Sequence, residues 1–207
     1  MTQVCFVGDP EVNLRYELLS RETARDALQT YDLGTPFHNT VGVESVSLGA
    51  AVALINDLNW YVVRFVDTVI VKEPSVSESE WLSRDLATAI RDDDLEPEES
   101  GRFLKVYGVE ETHGFEAPSP GESGGDSGGP AGEGEEDEDG DGESGGEGPA
   151  GGGPPSVGGG GPLGADDPPR LVEPMFVTRT GEPIPEYDLR DVDQTLIVRV
   201  TEDEFGA

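Results

Sequence analysis

The chain has 207 residues, 44 of them Asp or Glu against 13 Lys or Arg, giving a formal net charge of -31. So acidic a balance offers no basic stripe for nucleic-acid phosphates, and a single cysteine, Cys5, excludes an internal disulfide. The uncharged run from Ser45 to Asn56 is too short and too polar to span a bilayer.

Only Lys72 and Lys105 are lysines, whereas eleven of the bases are arginines. A lysine-poor, uniformly acidic surface fits molar salt, where a Debye length of roughly 3 Å weakens repulsion among carboxylates. The N-terminus shows no basic region, long apolar stretch or twin arginine, so the expected location is the cytoplasm.

Val4 to Val7 is a continuous apolar run and reads as a buried strand, with Cys5 as a structural thiol. Asp9-Pro10-Glu11 could start a helix, yet Leu14 to Leu18 alternates at period two, which favours a strand. Ser20 then caps a helix carrying Ala24, Ala27, Leu28 and Tyr31. Val41 to Ser47 is a strand whose apolar phase slips at Val46, the mark of a bulge. Leu48, Ala51, Val52, Ile55 and Leu58 form one face of a helix. Trp60 to Val71 is apolar in both alternating sets and predicts a central strand that turns back at Asp67-Thr68.

Ser77 and Glu80 have the spacing of a capping box, and Val76 and Trp81 that of a hydrophobic staple. They predict a helix running through Leu82, Leu86, Ala89 and Ile90 to Asp92-Asp93-Asp94. Strands over Phe103–Val109, Leu171–Thr178 and Leu196–Val200 complete the pattern. Between Glu110 and Pro169 lie sixteen acids, no Lys or Arg, 21 of the 29 glycines and 9 of the 16 prolines. Such a segment is expected to be disordered, because it holds too little apolar surface to offset its ordering entropy.

The expected architecture is a single α+β domain, discontinuous over 1–109 and 170–201. It has a mixed, largely antiparallel sheet and about three helices. The acidic insert, 110–169, sits in a late hairpin, where lengthening a loop costs only about 0.6 kcal/mol per doubling. Residues 202–207 are expected to be a flexible tail.

Little of the sequence looks like chemistry. Asp137, Asp139, Asp141 and Gly142 match the start of a calcium loop, but the twelfth position is Gly148 where a bidentate Glu is required. No metal site is expected there, nor a zinc site from His38, His113 and Cys5. The glycine runs lack the strand and helix that a phosphate cradle needs, so no cofactor is expected.

The candidate catalytic residues are Asp57, set between Asn56 and Asn59 ahead of Trp60, and Arg64. Arg64 and Arg199 each interrupt an apolar strand, and with acids so abundant an Arg-carboxylate pair is the favoured role. The runs GDPEVNLRYELLSRETARDAL, ESEWLSRDLATAIRD, GRFLKVYGVE and EPMFVTRTG together resemble a haloarchaeal family of small acidic proteins catalogued as a domain of unknown function. The resemblance implies a salt-adapted cytoplasmic protein and assigns no residue a role.

A non-enzymatic interaction or regulatory module is the leading expectation, one whose sheet edge or groove takes a protein or small ligand. An enzyme with a carboxylate-based site is the first alternative and a nucleic-acid accessory protein the second.

Overall fold

The computed structural model describes residues 1–112, 167–181, 184 and 186–206. It is a mixed α+β fold built on one seven-stranded sheet. In chain order the strands are β1 (Thr2–Gly8), β2 (Thr40–Ser45), β3 (Val66–Lys72), β4 (Trp81–Ser83), β5 (Phe103–Thr112), β6 (Asp167–Thr178) and β7 (Gln194–Val200). Their order across the sheet is β2-β1-β3-β4-β7-β5-β6. All neighbours are antiparallel except β4 and β7, which pair in parallel through Trp81↔Val198 and Leu82↔Arg199. The helices are α1 (Leu14–Leu19), α2 (Glu22–Leu28), α3 (Leu48–Asp57), α4 (Asn59–Phe65), α5 (Arg84–Arg91) and the short α6 (Glu202–Phe205).

Because side chains alternate across a strand, β1 sends Val4 and Phe6 to one face and Cys5 and Val7 to the other. Val4 and Phe6 join Val41, Val43, Val69, Val71 and Leu82 under the helices, against Leu14, Leu18, Leu28, Ile55, Leu58 and Leu86. The second face buries Cys5, Ile70, Tyr107, Val109, Leu196, Val198 and Val200. Among the described residues no helix longer than the short α6 covers it. Phe37, from the segment ahead of β2, and Phe205 of α6 pack against it instead.

The sheet is curled. β2 and β6 are its opposite edges, yet His38, two residues before β2, donates its backbone N–H to Pro169 O of β6 at 2.8 Å. β6 places Pro168, Pro169 and Pro174 on that outer edge, where a missing N–H withholds a pairing site from other chains. On the opposite side of β5 from Tyr107, a Cβ on Gly108 would come within 2.6 Å of Val192 and 2.7 Å of Val172. Any other residue there would push the segment leading into β7 off the sheet.

Several elements differ from expectation, each for a local reason. There are six α-helices among the described residues, against about three expected. Leu14–Leu19 is helical: the Asn13 side chain caps it by accepting from Tyr16 N at 3.0 Å, and Leu14 and Leu18 share a face four residues apart. Asp9-Pro10-Glu11 forms a turn instead, closed by Val12 N donating to Asp9 O. Ser20 ends α1 rather than capping α2, whose N-cap is Arg21.

Residues 59–65 are helical as well, and the chain runs on into β3 at Val66 without turning at Asp67-Thr68. A segment apolar in both alternating sets is equally apolar on a helix, so periodicity could not separate the two. Ser77 Oγ does accept from Glu80 N at 3.1 Å. The Glu80 carboxylate, however, turns to Arg179 and Arg199. Trp81–Ser83 is therefore a strand, and Ser83 caps α5 by accepting from Leu86 N.

The phase slip at Val46 marks the end of β2, with Val46 exposed, and the bulge lies in the β1–β3 pairing at Val7/Gly8. Residues 110–112 and 167–169, assigned to the insert, are paired in β5 and β6. The rest of the insert, with its calcium-loop stretch, lies outside the described residues. The expected flexible tail contains α6, held by a capping box between Thr201 and Glu204 and by Phe205 stacking on Phe103 at 5.0 Å between ring centroids.

Candidate functional site

The most developed cavity, about 480 Å³, opens on the curled face between β1, β2 and the segment 32–36. Its volume falls within the usual range for small-molecule sites. Cys5 and the backbone of β1 and β2 form its floor, Trp81 one wall, and Gln3, Asp32 and Glu44 its polar groups. None of the lining residues is cationic. Gln3 Nε2 donates to Glu44 Oε1 at 3.2 Å, and Asp32 is exposed and has no partner among the described residues.

The segment 32–39 acts as a strap and is fixed along its length. Gly34 and Gly42 exchange two backbone hydrogen bonds of 2.9 Å. Pro36 lies so close over β2 that a Cβ on Gly42 would sit 2.9 Å from its Cδ. Phe37 N donates to Thr40 Oγ1, which donates back to Phe37 O at 2.6 Å. Asn39, at φ 52°, spends its side chain on the turn below: its amide donates to Asp9 O and Val12 O, and its Oδ1 accepts from Leu14 N. A left-handed Asn is tolerated where local hydrogen bonds over-determine it.

Burial pushes the Cys5 thiol up to about 12, with a hydrogen bond to Thr40 pulling the other way. The thiol is therefore neutral near pH 7 and serves as packing. Lys72 lies beyond the lining, its ammonium 5.8 Å from the Trp81 ring centroid.

A smaller cleft of about 250 Å³ lies where the strap meets β6, lined by His38, Asp67, Tyr107 and Arg170 among others. The Tyr107 hydroxyl is buried without a hydrogen-bond partner among the described residues.

The expected candidates sit elsewhere. Asp57 is the last residue of α3 and exposed; Arg64 is exposed on α4 with its guanidinium 4.8 Å from the Trp60 ring centroid. Neither lines these cavities, and no ion pair joins them. Arg199 does pair with a carboxylate, that of Glu80, which Arg179 also grips, and its Nη1 donates to Ser100 Oγ at 2.9 Å. Burial opposes ionisation of Glu80, but the hydrogen bonds from the two arginines outweigh it and hold the carboxyl below its ordinary value. Glu80 is a structural hub that sequence spacing assigned to a helix cap.

A family match spans residues 2–109, just over half of the chain. The chain belongs to DUF5804, a family of unknown function. No curated protein and no solved structure matches it. Every residue lining the 480 Å³ cavity falls inside the DUF5804 segment, whereas the smaller cleft also draws on β6, outside it. No helix among the described residues is long and apolar enough to cross a membrane.

Proposed function

We propose that this DUF5804 protein is a non-enzymatic binding module of the cytoplasm, adapted to concentrated salt, and that the strapped cavity on its curled face takes a small ligand with a largely apolar body. The observation that carries this reading is the cavity itself. A face that buries Ile70, Val198 and Val200 tightly leaves about 480 Å³ open beside them, under a strap held by paired backbone bonds. A polar rim over an apolar floor fixes orientation at the mouth and affinity below.

The test uses the neutral fluorophore N-phenyl-1-naphthylamine, whose emission rises in apolar surroundings. Binding should be saturable and should weaken in Gly34→Leu. The added Cβ there has its nearest contact at 3.9 Å, so the larger side chain is accommodated while it occupies the cavity lining. Unchanged probe emission with folded protein would remove the reading. Salt adaptation is tested separately by the unfolding midpoint, which should rise with KCl from 0.1 to 2 M as carboxylate repulsion is screened.

A carboxylate-based enzyme is the second reading. The orphan hydroxyl of Tyr107, in the cleft shared with Asp67 and His38, favours it. A pH profile of hydrolytic activity abolished by Asp67→Asn and Tyr107→Phe would support it, and a flat blank across substrate classes would not.

A further inference from the structure

We infer that the ligand of the strapped cavity is an organic cation: an ammonium or quaternary ammonium group carried on an apolar body. This rests on the cavity being a ligand site and names the chemistry it selects.

Charge complementarity points to a cation. Asp32 and Glu44 are carboxylates at the cavity, and neither has a cationic partner among the described residues. The exposed carboxylates of a protein with net charge -31 create a diffuse field everywhere. Here two of them border a cavity floored by Cys5 and the backbone of β1 and β2 and walled by Trp81, where a Coulomb attraction is several times stronger than in open water. An anion entering this site would meet repulsion without one compensating base.

Trp81 supplies the second element. Its indole walls the cavity, and an indole face attracts a desolvated cation by up to about 2 kcal/mol. Lys72 already lies 5.8 Å from that ring, showing that the local geometry lets an ammonium approach it. Lys72 is also the nearby charge that would compete with a cationic ligand.

The floor decides between an organic cation and a metal ion. A hard divalent cation needs six to eight oxygen ligands or a near-complete water shell. The cavity offers two carboxylates, the Gln3 amide and the Thr35 hydroxyl around an apolar base. A soft cation with methyl or methylene groups satisfies both halves at once, keeping its charge at the rim and its carbon on the floor.

The experiment compares two molecules of nearly the same shape, benzyltrimethylammonium and neopentylbenzene, which differ by the charge alone. Binding is read from Trp81 emission in a Trp60→Phe background, since Trp60 and Trp81 are the two tryptophans. The cation should bind about tenfold tighter than the hydrocarbon. Glu44→Gln combined with Asp32→Asn should reduce that preference severalfold, to the part that the Trp81 ring supplies, and leave neopentylbenzene binding unchanged, while Lys72→Met should strengthen cation binding. Thermal unfolding of each variant checks that the fold is intact.

Equal affinity for the two probes, or a cation preference undiminished by loss of both carboxylates, overturns the inference and leaves the cavity reading standing. Binding of neither probe, with Trp81 emission unmoved, overturns both.

Discussion

Phe6 and Cys5 are neighbours on β1, and the two surroundings they enter differ in kind. Phe6 is fully buried beneath a layer of five helices, in a cluster of nineteen buried residues. Cys5 is buried in a cluster of seven, under a strap and one turn of helix, with a cavity at its side. One sheet thus supplies a packed face that fixes the fold and a partly covered face with room for a ligand. Stability and binding are separated by the alternation of side chains along each strand.

The sharpest way to break this contrast is to truncate both neighbours. Phe6→Ala should cost about 3–5 kcal/mol in denaturant unfolding, the usual range for a buried aromatic whose site cannot collapse. Cys5→Ala should cost only about 1 kcal/mol. Similar losses would mean that the curled face is packed as fully as the helical one.

Glu80→Ala tests whether the polar hub rivals the hydrophobic faces. It leaves Arg179 and Arg199 without their shared carboxylate, and the expected loss is about 2–3 kcal/mol, below the full range for buried pairs because both guanidiniums retain some exposure. The Glu80 carboxyl lies below 4.5 in the fold, so its contribution is complete above that value and is lost as pH falls through the lower, folded value. The acid limb of a stability-pH curve should therefore flatten in the variant below about pH 4.5.

Gly42→Val addresses the strap alone. Displacing Pro36 should cost about 1–2 kcal/mol, with hydrogen exchange rising at Gly34 and Gly42 and little change in the helices. The smallest effect is expected for Trp60→Ala, at most about 0.5–1 kcal/mol. Its ring is half exposed and engaged mainly by Arg21 and Arg64 from the solvent side.

What the sequence made legible follows the same division. β1, α3 and the strands β5, β6 and β7 have unambiguous periods, and the structure places them within a few residues of the expected bounds. α1 and α4 were hidden because Leu14–Leu18 and Trp60–Phe65 satisfy strand and helix patterns alike, and packing decided between them. Glu80 was hidden by a valid local signal: Ser77 does bond its N–H, but the carboxylate found Arg179 and Arg199, about a hundred residues or more away.

The cavity had no sequence signature at all. Gln3, Asp32, Gly42, Glu44 and Trp81 carry no spacing that any motif records, and only strand pairing plus the two-bond clasp at Gly34 gathers them. Cys5 could be assigned as buried from its apolar flanks, whereas its place on a cavity floor depends on which face of β1 the helices cover.

The three-residue strand β4 is the seam of the sheet, and its parallel partner β7 arrives last. On the ribosome, β1, β2 and β3 can associate with their helices while Trp81–Ser83 waits with one side unpaired, and β5 emerges with no neighbour in the nascent chain, since β6 and β7 both follow it. Closure must await synthesis past Gln194, so early termination would leave a half-sheet with an open flank, a natural substrate for chaperones.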